Sequence, residues 1–306
     1  MSYYIGIDGG GTSTIFCLAD CNGNVIDIIK LKSTNYHVMG IEETKETIKN
    51  AIDFFTEKKS ISLNEIKSIC FGGSGVDSEK CKETIINIFR DIGYRNELQV
   101  YNDSVIALVG ANDGYNGGII ISGTGSVGLV IDKKNRLNKV GGWGHILDDG
   151  GSGYFIGREA LSKIMKNYDG RECKTLLWDK IREKLKINNQ EEIINFVYKD
   201  KLPKKDIAGL APIVIELYNK DKVAKDIVNS AVDSLTIMVE TLIEKAQGAD
   251  ISIGLYGSIL TKSNIIRDKL IERVNSKHPK VNIHLPYKEA YIGAVDIATR
   301  RVKIQN

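Results

Sequence analysis

The sequence predicts an α/β protein built from two related domains, and three observations carry that prediction. A stretch in which strands flank a glycine turn occurs twice, at residues 3–33 and 117–144. The segments that follow the first copy alternate between helix and strand patterns, which is typical of α/β proteins. The chain of 306 residues is also long enough to give two ordinary domains a core each.

Composition places the chain among ordinary globular proteins and excludes several functional classes. Apolar residues make up 42% and charged residues 26% of the chain. The excess of 42 basic over 39 acidic residues, net +3, is too small to indicate nucleic acid or a membrane surface as a partner. The 5 cysteines form no C-x-x-C pair, which indicates neither a disulfide framework nor a zinc site and fits a reducing cytoplasm.

The first copy begins with YIGIDGGGTSTIFCLAD, residues 4–20. Its β-branched and apolar residues predict a strand on each side of the glycines, and Asn22-Gly23 predicts a hairpin turn before a third strand. The second copy, GGIIISGTGSVGLVIDKKNRLNKVGGWG, has the same order of strand, glycine turn, strand, polar turn and strand. The two copies match in layout and not residue by residue, which predicts duplicated domains.

Helix and strand signals complete the α/β pattern. Between the copies, apolar periodicity and turn residues predict a helix at 42–58, a strand at 66–75, a helix at 77–93, a strand at 98–103 and a helix that begins at Ser104. After the second copy they predict a helical stretch from Tyr154 to about Gly248, a strand–turn–helix unit at 250–274, and a strand, proline break and final helix at 281–302. No Pro/Ser-rich linker is present, and the division between the domains is expected near Tyr115.

The first glycine turn does not match the common phosphate-binding motifs. A P-loop requires Gly-Lys-Ser/Thr before a helix, but Gly11 is followed by Thr12 and Ser13. A dinucleotide loop requires a third glycine and then a helix, whereas Thr14 occupies that position and a strand follows. A β-hairpin remains, whose glycines let backbone N–H groups approach an anion; a plain tight hairpin is the alternative. Asp8, at the end of the first strand, is a candidate magnesium ligand.

The second glycine turn, ISGTGS at residues 121–126, favours phosphate binding over a plain tight hairpin. Two such hairpin loops from two domains can hold one triphosphate between them. We therefore expect a two-part phosphate clamp.

Several motifs that occur in order carry a family resemblance: IDGGGTST, STNYHVMG, FGGSGVD, YNDS, ISGTGS, GGWGHILDDGGSGYFIGREAL and GLYGSIL. Together they resemble the BadF/BadG/BcrA/BcrD ATPase family, and within it the N-acetylglucosamine kinase-like branch of the actin/Hsp70/sugar-kinase superfamily. The resemblance implies two ribonuclease-H-like domains with ATP and Mg²⁺ in an interdomain cleft. It implies an N-terminal domain of residues 1–114 plus about 290–306, a C-terminal domain of residues 115–289 with a helical insertion, and a homodimer.

The resemblance also implies roles for individual residues. Asp103 matches the catalytic base, although an aspartate before a helix is also a common N-cap. Asn35 matches a sugar-binding asparagine, although an Asx turn is the alternative. Further substrate contacts are implied at Gly142, Trp143, Gly144 and Asp149. ATP contacts are implied at Gly10, Gly11, Thr12, Gly123, Thr124, Gly125, Ser126, Gly209, Gly257 and Ser258. A plain strand–helix turn is the alternative for the last two.

One loop departs from the family pattern. Where the family usually has LGDEGS, this chain has LDDGGS, so Asp148 replaces a glycine and Gly150 replaces an acidic residue. The departure puts recognition of the anomeric or N-acyl end of a sugar in doubt.

The resemblance implies ATP-dependent phosphorylation of the 6-hydroxyl of an amino sugar, with N-acetylglucosamine first and glucosamine or N-acetylmuramic acid as variants. The rival is an ATPase that activates a 2-hydroxyacyl-CoA dehydratase or benzoyl-CoA reductase and holds a [4Fe–4S] cluster between subunits. Cys173 is the only cysteine of the second domain, and one thiolate from each of two subunits cannot hold that cluster. A non-catalytic nucleotide sensor would need no base, and the zinc motif of ROK-type sugar kinases is missing.

Overall fold

The computed structural model describes residues 2–113, 117–198, 204–247 and 251–301. The chain forms two compact units: Met1–Ile119 with Ile131–Leu137 and Leu285–Asn306, and Ile120–Val130 with Asn138–His284. The predicted division near Tyr115 and the predicted helix end at Gly248 lie outside the described residues.

The first unit contains a five-stranded sheet whose strands follow the predicted pattern. They are β1 (Tyr3–Gly9), β2 (Ser13–Asp20), β3 (Val25–Lys32), β4 (Ile66–Gly73) and β5 (Glu97–Asn102), in the order β3-β2-β1-β4-β5. β1 pairs antiparallel with β2 and parallel with β4. The β2–β3 turn lies at the predicted Asn22-Gly23, where Gly23 has φ 69° and the Asp20 carboxylate accepts from the Asn22 N–H at 2.8 Å.

Helices cover this sheet and bury its apolar side chains. They are α1 (Tyr36–Met39), α2 (Ile41–Lys59), α3 (Glu79–Asp91) and α4 (Asp103–Ala111). α3 begins where the sequence predicts, because the Ser78 hydroxyl caps it by accepting from the Cys81 N–H. Phe55 of α2, Phe71 of β4 and Phe89 of α3 are fully buried in one core cluster.

The second unit repeats the strand order of the first. Its strands are β6 (Gly118–Ser122), β7 (Ser126–Ile131), β8 (Leu137–Gly141), β9 (Ser252–Tyr256) and β10 (Asn282–His284), in the order β10-β9-β6-β7-β8. The meander β6–β8 therefore takes the place that β1–β3 takes in the first sheet, followed by two further strands in both cases. This arrangement confirms the duplicated fold predicted from the two glycine-punctuated stretches.

The helices of the second unit occur in the chain between β8 and β10, and they form most of its core. They are α5 (Gly153–Tyr168), α6 (Leu177–Leu185), α7 (Glu191–Val197), α8 (Lys204–Ala208), α9 (Ala211–Glu216), α10 (Lys222–Ala246), α11 (Ser258–Lys262) and α12 (Asn264–Lys277). The long helix α10 starts at the cap residue Asp221, whose carboxylate accepts from the Ala224 N–H at 2.8 Å. Its buried side chains pack in one cluster with those of α5 and α12. No described helix has the length and apolar content that crossing a membrane requires.

The closing helix, α13 (Ala290–Ala298), returns to the first unit and lies directly on β1 and α4. Two glycines permit this close contact. A Cβ on Gly6 would come within 2.6 Å of the Tyr291 carbonyl oxygen, and one on Gly293 would overlap the carbonyl oxygen of Ile106. The helix therefore packs backbone to backbone against β1, which contains Asp8, and against α4, which begins with Asp103.

Candidate functional site

The first glycine turn is the tip of the β1–β2 hairpin. The Gly10 N–H donates to the Ser13 carbonyl at 3.1 Å, and the Gly10 carbonyl accepts from the Ser33 hydroxyl at 2.9 Å. Gly11 and Thr12 are exposed. Two of the three predicted phosphate contacts of this unit, Gly11 and Thr12, therefore face solvent, and the half-buried Gly10 holds the base of their turn.

Two carboxyl groups with perturbed acidity lie beside this hairpin. Burial raises the pKa of Asp8 to about 6, and the negative charges of Asp103 and Glu289 add to that rise. The pKa of Asp103 is also raised, mainly by burial and further by the charge of Asp77. Asp8 and Asp103 are half-buried. Carboxyls with raised pKa values that repel one another are typical of catalytic and cation-binding sites, although structural networks produce them as well.

The helix cap next to Asp103 belongs to its neighbour. The Asn102 side-chain oxygen accepts from the Ser104 N–H at 3.1 Å and caps α4, and the Asn102 amide donates to Asp77 at 2.8 Å. Asp103 is the first residue of the helix, where a carboxylate also interacts favourably with the helix dipole. Its carboxylate therefore does not serve as the N-cap that the sequence left open as an alternative.

Asn35 caps the short helix α1, which the sequence did not predict. Its side-chain oxygen accepts from the His37 N–H at 3.1 Å, and its amide donates to the Ser74 hydroxyl at 3.2 Å. Gly75, with φ 85°, lies against this amide, since a Cβ there would come within 3.2 Å of the amide nitrogen. The turn geometry fixes the Asn35 side chain at the junction of the STN and FGGSG motifs.

The second glycine turn, between β6 and β7, is tied to the start of α5. The Gly123 carbonyl accepts from the Gly153 N–H at 2.7 Å, and the Thr124 carbonyl accepts from the Tyr154 N–H at 3.2 Å. The Ser152 hydroxyl caps α5 by accepting from the Phe155 N–H. These bonds place the glycine turn at the N-terminus of α5. Since α5 is a regular helix of 16 residues, its N-terminus carries a partial positive charge that favours anions.

A cavity of about 560 Å³ opens beside this turn. Its lining includes four residues that the resemblance assigned to ATP: Gly123, Thr124, Gly209 and Ser258. Reasoning from sequence missed the others: Lys205, Ala208, Pro212, Ile215, Glu216, Ile259, Lys262, Ser263 and Gly153. The cavity thus combines an apolar wall, two lysines and a backbone turn at a helix N-terminus, which is a chemical environment that fits a nucleotide.

The other predicted ATP residues lie next to this lining. Gly257 has φ 86°, and a Cβ there would overlap the backbone of Ser122, so a glycine is needed where the β9–α11 turn meets β6. A Cβ on Gly125 would lie 2.9 Å from a carboxylate oxygen of Asp149. Ser126 donates its hydroxyl to the Gly150 carbonyl at 2.8 Å.

The predicted sugar wall after β8 is an exposed turn. Gly142 and Gly144 have φ 70° and 91°, and Trp143 between them is 69% exposed, with the Lys139 ammonium 5.2 Å from its ring centroid. The backbone N–H of Trp143 donates to the Asp148 carboxylate at 3.4 Å. Asp148, the residue that departs from the family pattern, therefore stabilises this turn.

Asp149 occupies a different environment from the rest of the predicted sugar contacts. Its side chain is buried, with the residue only 3% exposed. It accepts from the Ser126 N–H at 3.1 Å and from the Lys204 ammonium at 3.0 Å. It therefore lies under the second glycine turn.

Charge and ligand chemistry decide whether the first unit fits a magnesium ion. Among the described residues, no group of three or more His, Cys, Asp or Glu side chains could hold a metal by itself. Mg²⁺ usually takes one or two protein carboxylates and completes its coordination with phosphate oxygens and water. Asp8 fits that pattern, because a cation would offset the burial and the neighbouring negative charges that raise its pKa.

The two repeated sheets with these sites define a class of ATP-using phosphotransfer proteins. Residues 5–298 match the model of the BadF/BadG/BcrA/BcrD ATPase family, and the chain belongs to that family.

Three comparisons with individual proteins extend over nearly the whole chain. An N-acetylmuramic acid/N-acetylglucosamine kinase of Clostridium acetobutylicum is 35% identical over 97% of this chain and 98% of its own length. An N-acetyl-D-glucosamine kinase of Dictyostelium discoideum is 29% identical over 98% of both chains. A solved structure from Chromobacterium violaceum has a TM-score of 0.77 at 20% identity, covering 96% of this chain and 98% of that one, and shows the same fold.

Proposed function

We propose that this protein is an ATP-dependent kinase that phosphorylates the 6-hydroxyl of an amino sugar, with N-acetylglucosamine as the first candidate and N-acetylmuramic acid or glucosamine as variants. Both curated relatives act by name on N-acetylglucosamine, and one also acts on N-acetylmuramic acid. The observation that carries the proposal is Asp103, a half-buried carboxylate with a raised pKa at a helix start whose cap position is taken by Asn102.

Asp103 is the proposed general base. Transfer of a phosphoryl group to a sugar hydroxyl requires a group that positions this hydroxyl and accepts its proton. Burial raises the pKa of Asp103, which makes it a stronger base than an ordinary aspartate. Since the base must be ionised, the rate is expected to fall as the pH drops through this raised pKa.

Asn35 is the proposed sugar-hydroxyl contact of the same unit. A side-chain amide offers two N–H donors and two lone pairs. Its contacts with His37 and Ser74 use one donor and one lone pair, so the other donor and lone pair can serve neighbouring hydroxyls of a sugar ring. Gly142, Trp143, Gly144 and Asp149 are the proposed sugar contacts of the second unit. Asp148 holds the turn of the first three, and the exposed indole of Trp143 offers an apolar surface.

The cavity of the second unit is the proposed nucleotide site. Pro212 and Ile215 offer an apolar wall to the base, and Lys205 and Lys262 bring positive charge to the phosphates. Gly123 and Thr124 place the glycine turn at the start of α5, where a helix N-terminus favours an anion. Gly10, Gly11 and Thr12 are the proposed phosphate contacts of the first unit.

Magnesium completes the proposal. Asp8 would hold the ion together with phosphate oxygens and water. When bound, Mg²⁺ neutralises charge on the transferring phosphates. The role of the protein is to hold Asp8 in place, and with a pKa of about 6 its carboxyl is mostly ionised at neutral pH.

An assay of ADP release over a panel of amino sugars with Mg-ATP tests the activity. Turnover with N-acetylglucosamine is expected, and a complete absence of turnover with every amino sugar contradicts the proposal. Asp103→Asn is expected to lose about 10²- to 10⁴-fold in kcat, the range typical of a general base, while its affinity for ATP stays unchanged. Asp91→Asn is the matched control, because it makes the same chemical change at an exposed aspartate of the same unit. Full turnover by Asp103→Asn would remove Asp103 from the role of base.

A further inference from the structure

Residues 74–77, in the loop between β4 and α3, are bonded to two separate parts of the first unit. At the start of this segment, the Ser74 hydroxyl accepts from the Asn35 amide at 3.2 Å. At its end, an Asp77 carboxylate oxygen accepts from the Asn102 amide at 2.8 Å. The segment therefore contacts the proposed sugar-binding asparagine on one side and the residue before the proposed base on the other.

The ends of the loop are anchored to regular elements. The Ser74 N–H donates to the carbonyl of Gly9, the last residue of β1, at 2.7 Å. Gly75 adopts φ 85°, in the left-handed region that favours glycine. Beyond the segment, the Ser78 hydroxyl caps α3. Asp77 thus acts on Asn102 from a backbone that is held on both sides.

The Asp77 carboxylate determines which way the Asn102 amide faces. A carboxylate only accepts hydrogen bonds, so it must receive the NH2 end of the amide. The oxygen end then faces α4, where it accepts from the Ser104 N–H at 3.1 Å and also from the Ser104 hydroxyl. Without an acceptor at its NH2 end the amide is free to turn over, and the start of α4 would then lose the oxygen that caps it.

Asp103 depends on this cap because it is the first residue of α4. The cap fixes where the helix begins and therefore where the Asp103 backbone lies. A displacement of about 1 Å in a reacting geometry can cost about 100-fold in rate, so a partial loss of the cap is enough to slow proton transfer.

From these contacts we propose that Asp77 is a positioning residue for phosphoryl transfer: it orients the Asn102 amide, and through that amide it holds Asp103 in place. In this role Asp77 does not contact the sugar. The inference deepens the proposed kinase function and rests on it for the kinetic readout. A second readout, hydrogen exchange, is independent of turnover.

The kinetic test compares Asp77→Ala with the wild type. Asp77 also raises the pKa of Asp103, so kcat is taken from the plateau of each pH profile, where that effect makes no contribution. Asp77→Ala is expected to lower kcat about tenfold while the KM for N-acetylglucosamine stays within about twofold. A rise in the sugar KM with unchanged kcat would make Asp77 a substrate contact and would overturn the inference.

The conservative variant Asp77→Asn provides a rescue. Its side-chain oxygen can still accept from the Asn102 amide, so its plateau kcat is expected within about threefold of the wild type. A loss in Asp77→Asn as large as that in Asp77→Ala would contradict the positioning role.

Hydrogen exchange tests the cap in the free protein, without sugar or nucleotide. The Ser104 amide proton, followed by NMR, is expected to exchange at least about fivefold faster in Asp77→Ala than in the wild type, because its acceptor is no longer held. In Asp77→Asn its exchange is expected to stay close to that of the wild type. Equal exchange of the Ser104 amide in Asp77→Ala and the wild type would overturn the inference.

Two controls separate positioning from a general loss of structure. Asp91→Ala makes the same change at an exposed aspartate of the same unit, 3.4 Å from the Lys45 ammonium, and is expected to leave kcat and the exchange of Ser104 unchanged. The double variant Asp77→Ala/Asn102→Ala is expected to lose no more kcat than Asn102→Ala alone, because both changes break the same hydrogen bond. Additive losses would contradict the proposed route through Asn102.

The two readouts distinguish failure of this inference from failure of the kinase proposal. If no amino sugar is turned over, the kinase proposal fails, whereas the exchange of the Ser104 amide still decides whether Asp77 orients Asn102.

Discussion

Asp8 is the proposed metal ligand, and its ionised carboxylate should reduce the stability of the protein when no metal is bound. Its pKa rises from 3.8 to about 6, chiefly because burial disfavours the charged form. Each pKa unit corresponds to about 1.4 kcal/mol, so ionised Asp8 destabilises the folded state by about 3 kcal/mol at neutral pH. Asp8→Asn removes the charge in both the folded and the unfolded states. We expect it to raise the free energy of unfolding by up to this amount in metal-free buffer.

The raised pKa of Asp8 also determines how the stability of the wild type changes with pH. The folded state binds a proton at Asp8 at a higher pH than the unfolded state, so the relative stability of the wild type is greatest below pH 4 and is lost as the pH rises through about 6. The difference between Asp8→Asn and the wild type should therefore be near zero at pH 4 and reach its full size above pH 7. Urea unfolding followed by circular dichroism at these pH values measures it.

Asp91→Asn is the matched control, because Asp91 is an exposed aspartate of the same unit whose side chain is 61% accessible. Its effect should stay within about 0.5 kcal/mol at every pH. Equal stabilities of Asp8→Asn and the wild type at pH 7.5, or a difference that does not vary with pH, would refute the reasoning. Mg²⁺ with ADP should stabilise the wild type more than Asp8→Asn, and the variant should lose kinase activity despite its greater stability.

Two further predictions concern the first unit. Hydrogen bonds from the Ser78 hydroxyl, Tyr36 and His37 lower the pKa of Cys81 to about 6. The labelling of Cys81 by iodoacetamide, followed by mass spectrometry, should therefore be about tenfold slower at pH 5 than at pH 7. An equal rate at the two pH values would contradict this prediction. Gly293→Ala should lower the free energy of unfolding by about 1–3 kcal/mol, because the new methyl group would overlap the α4 backbone at Ile106. Urea unfolding measures this change. A loss of less than about 0.5 kcal/mol would show that α13 can shift to accommodate the methyl group.

The strands could be predicted from the sequence because their signals are local. Alternation of β-branched residues and the turn residues Asn22-Gly23 specify a meander without information from the rest of the chain. The match between the two meanders then predicted a duplicated fold, and the equal strand order of the two sheets confirms it. By contrast, α1 has only four residues, too few to give a periodic pattern.

The role of Asp103 could not be settled from sequence because two good capping residues are adjacent. Asn and Asp are about equally common at the N-cap, so the sequence Asn102-Asp103 fits a helix that starts at either residue. The bond from Ser104 to Asn102 decides the start of the helix, and it depends on backbone geometry that the sequence does not reveal.

Only a minority of the residues that line the cavity of the second unit could be predicted, for a related reason. Its glycines belong to recognisable turns, but Lys205, Glu216 and Lys262 lie in helical segments whose sequences carry no motif. Such residues meet only through the packing of the neighbouring helices α8 and α9 with α11, which lies far from them in the chain. A single sequence gives no measure of that proximity.

Duplication explains how one topology supports two kinds of chemistry. In both sheets a glycine turn joins the first two strands, but the neighbours of the turn differ. In the first unit, α13 packs so closely on β1 that Glu289, at its start, adds negative charge near Asp8, and the turn itself stays exposed. In the second unit, the turn lies at the start of α5 and its supporting carboxylate, Asp149, is neutralised by Lys204. The first environment favours a cation and a base, and the second favours an anion, so the division of labour follows from what packs behind each turn and not from the turns themselves.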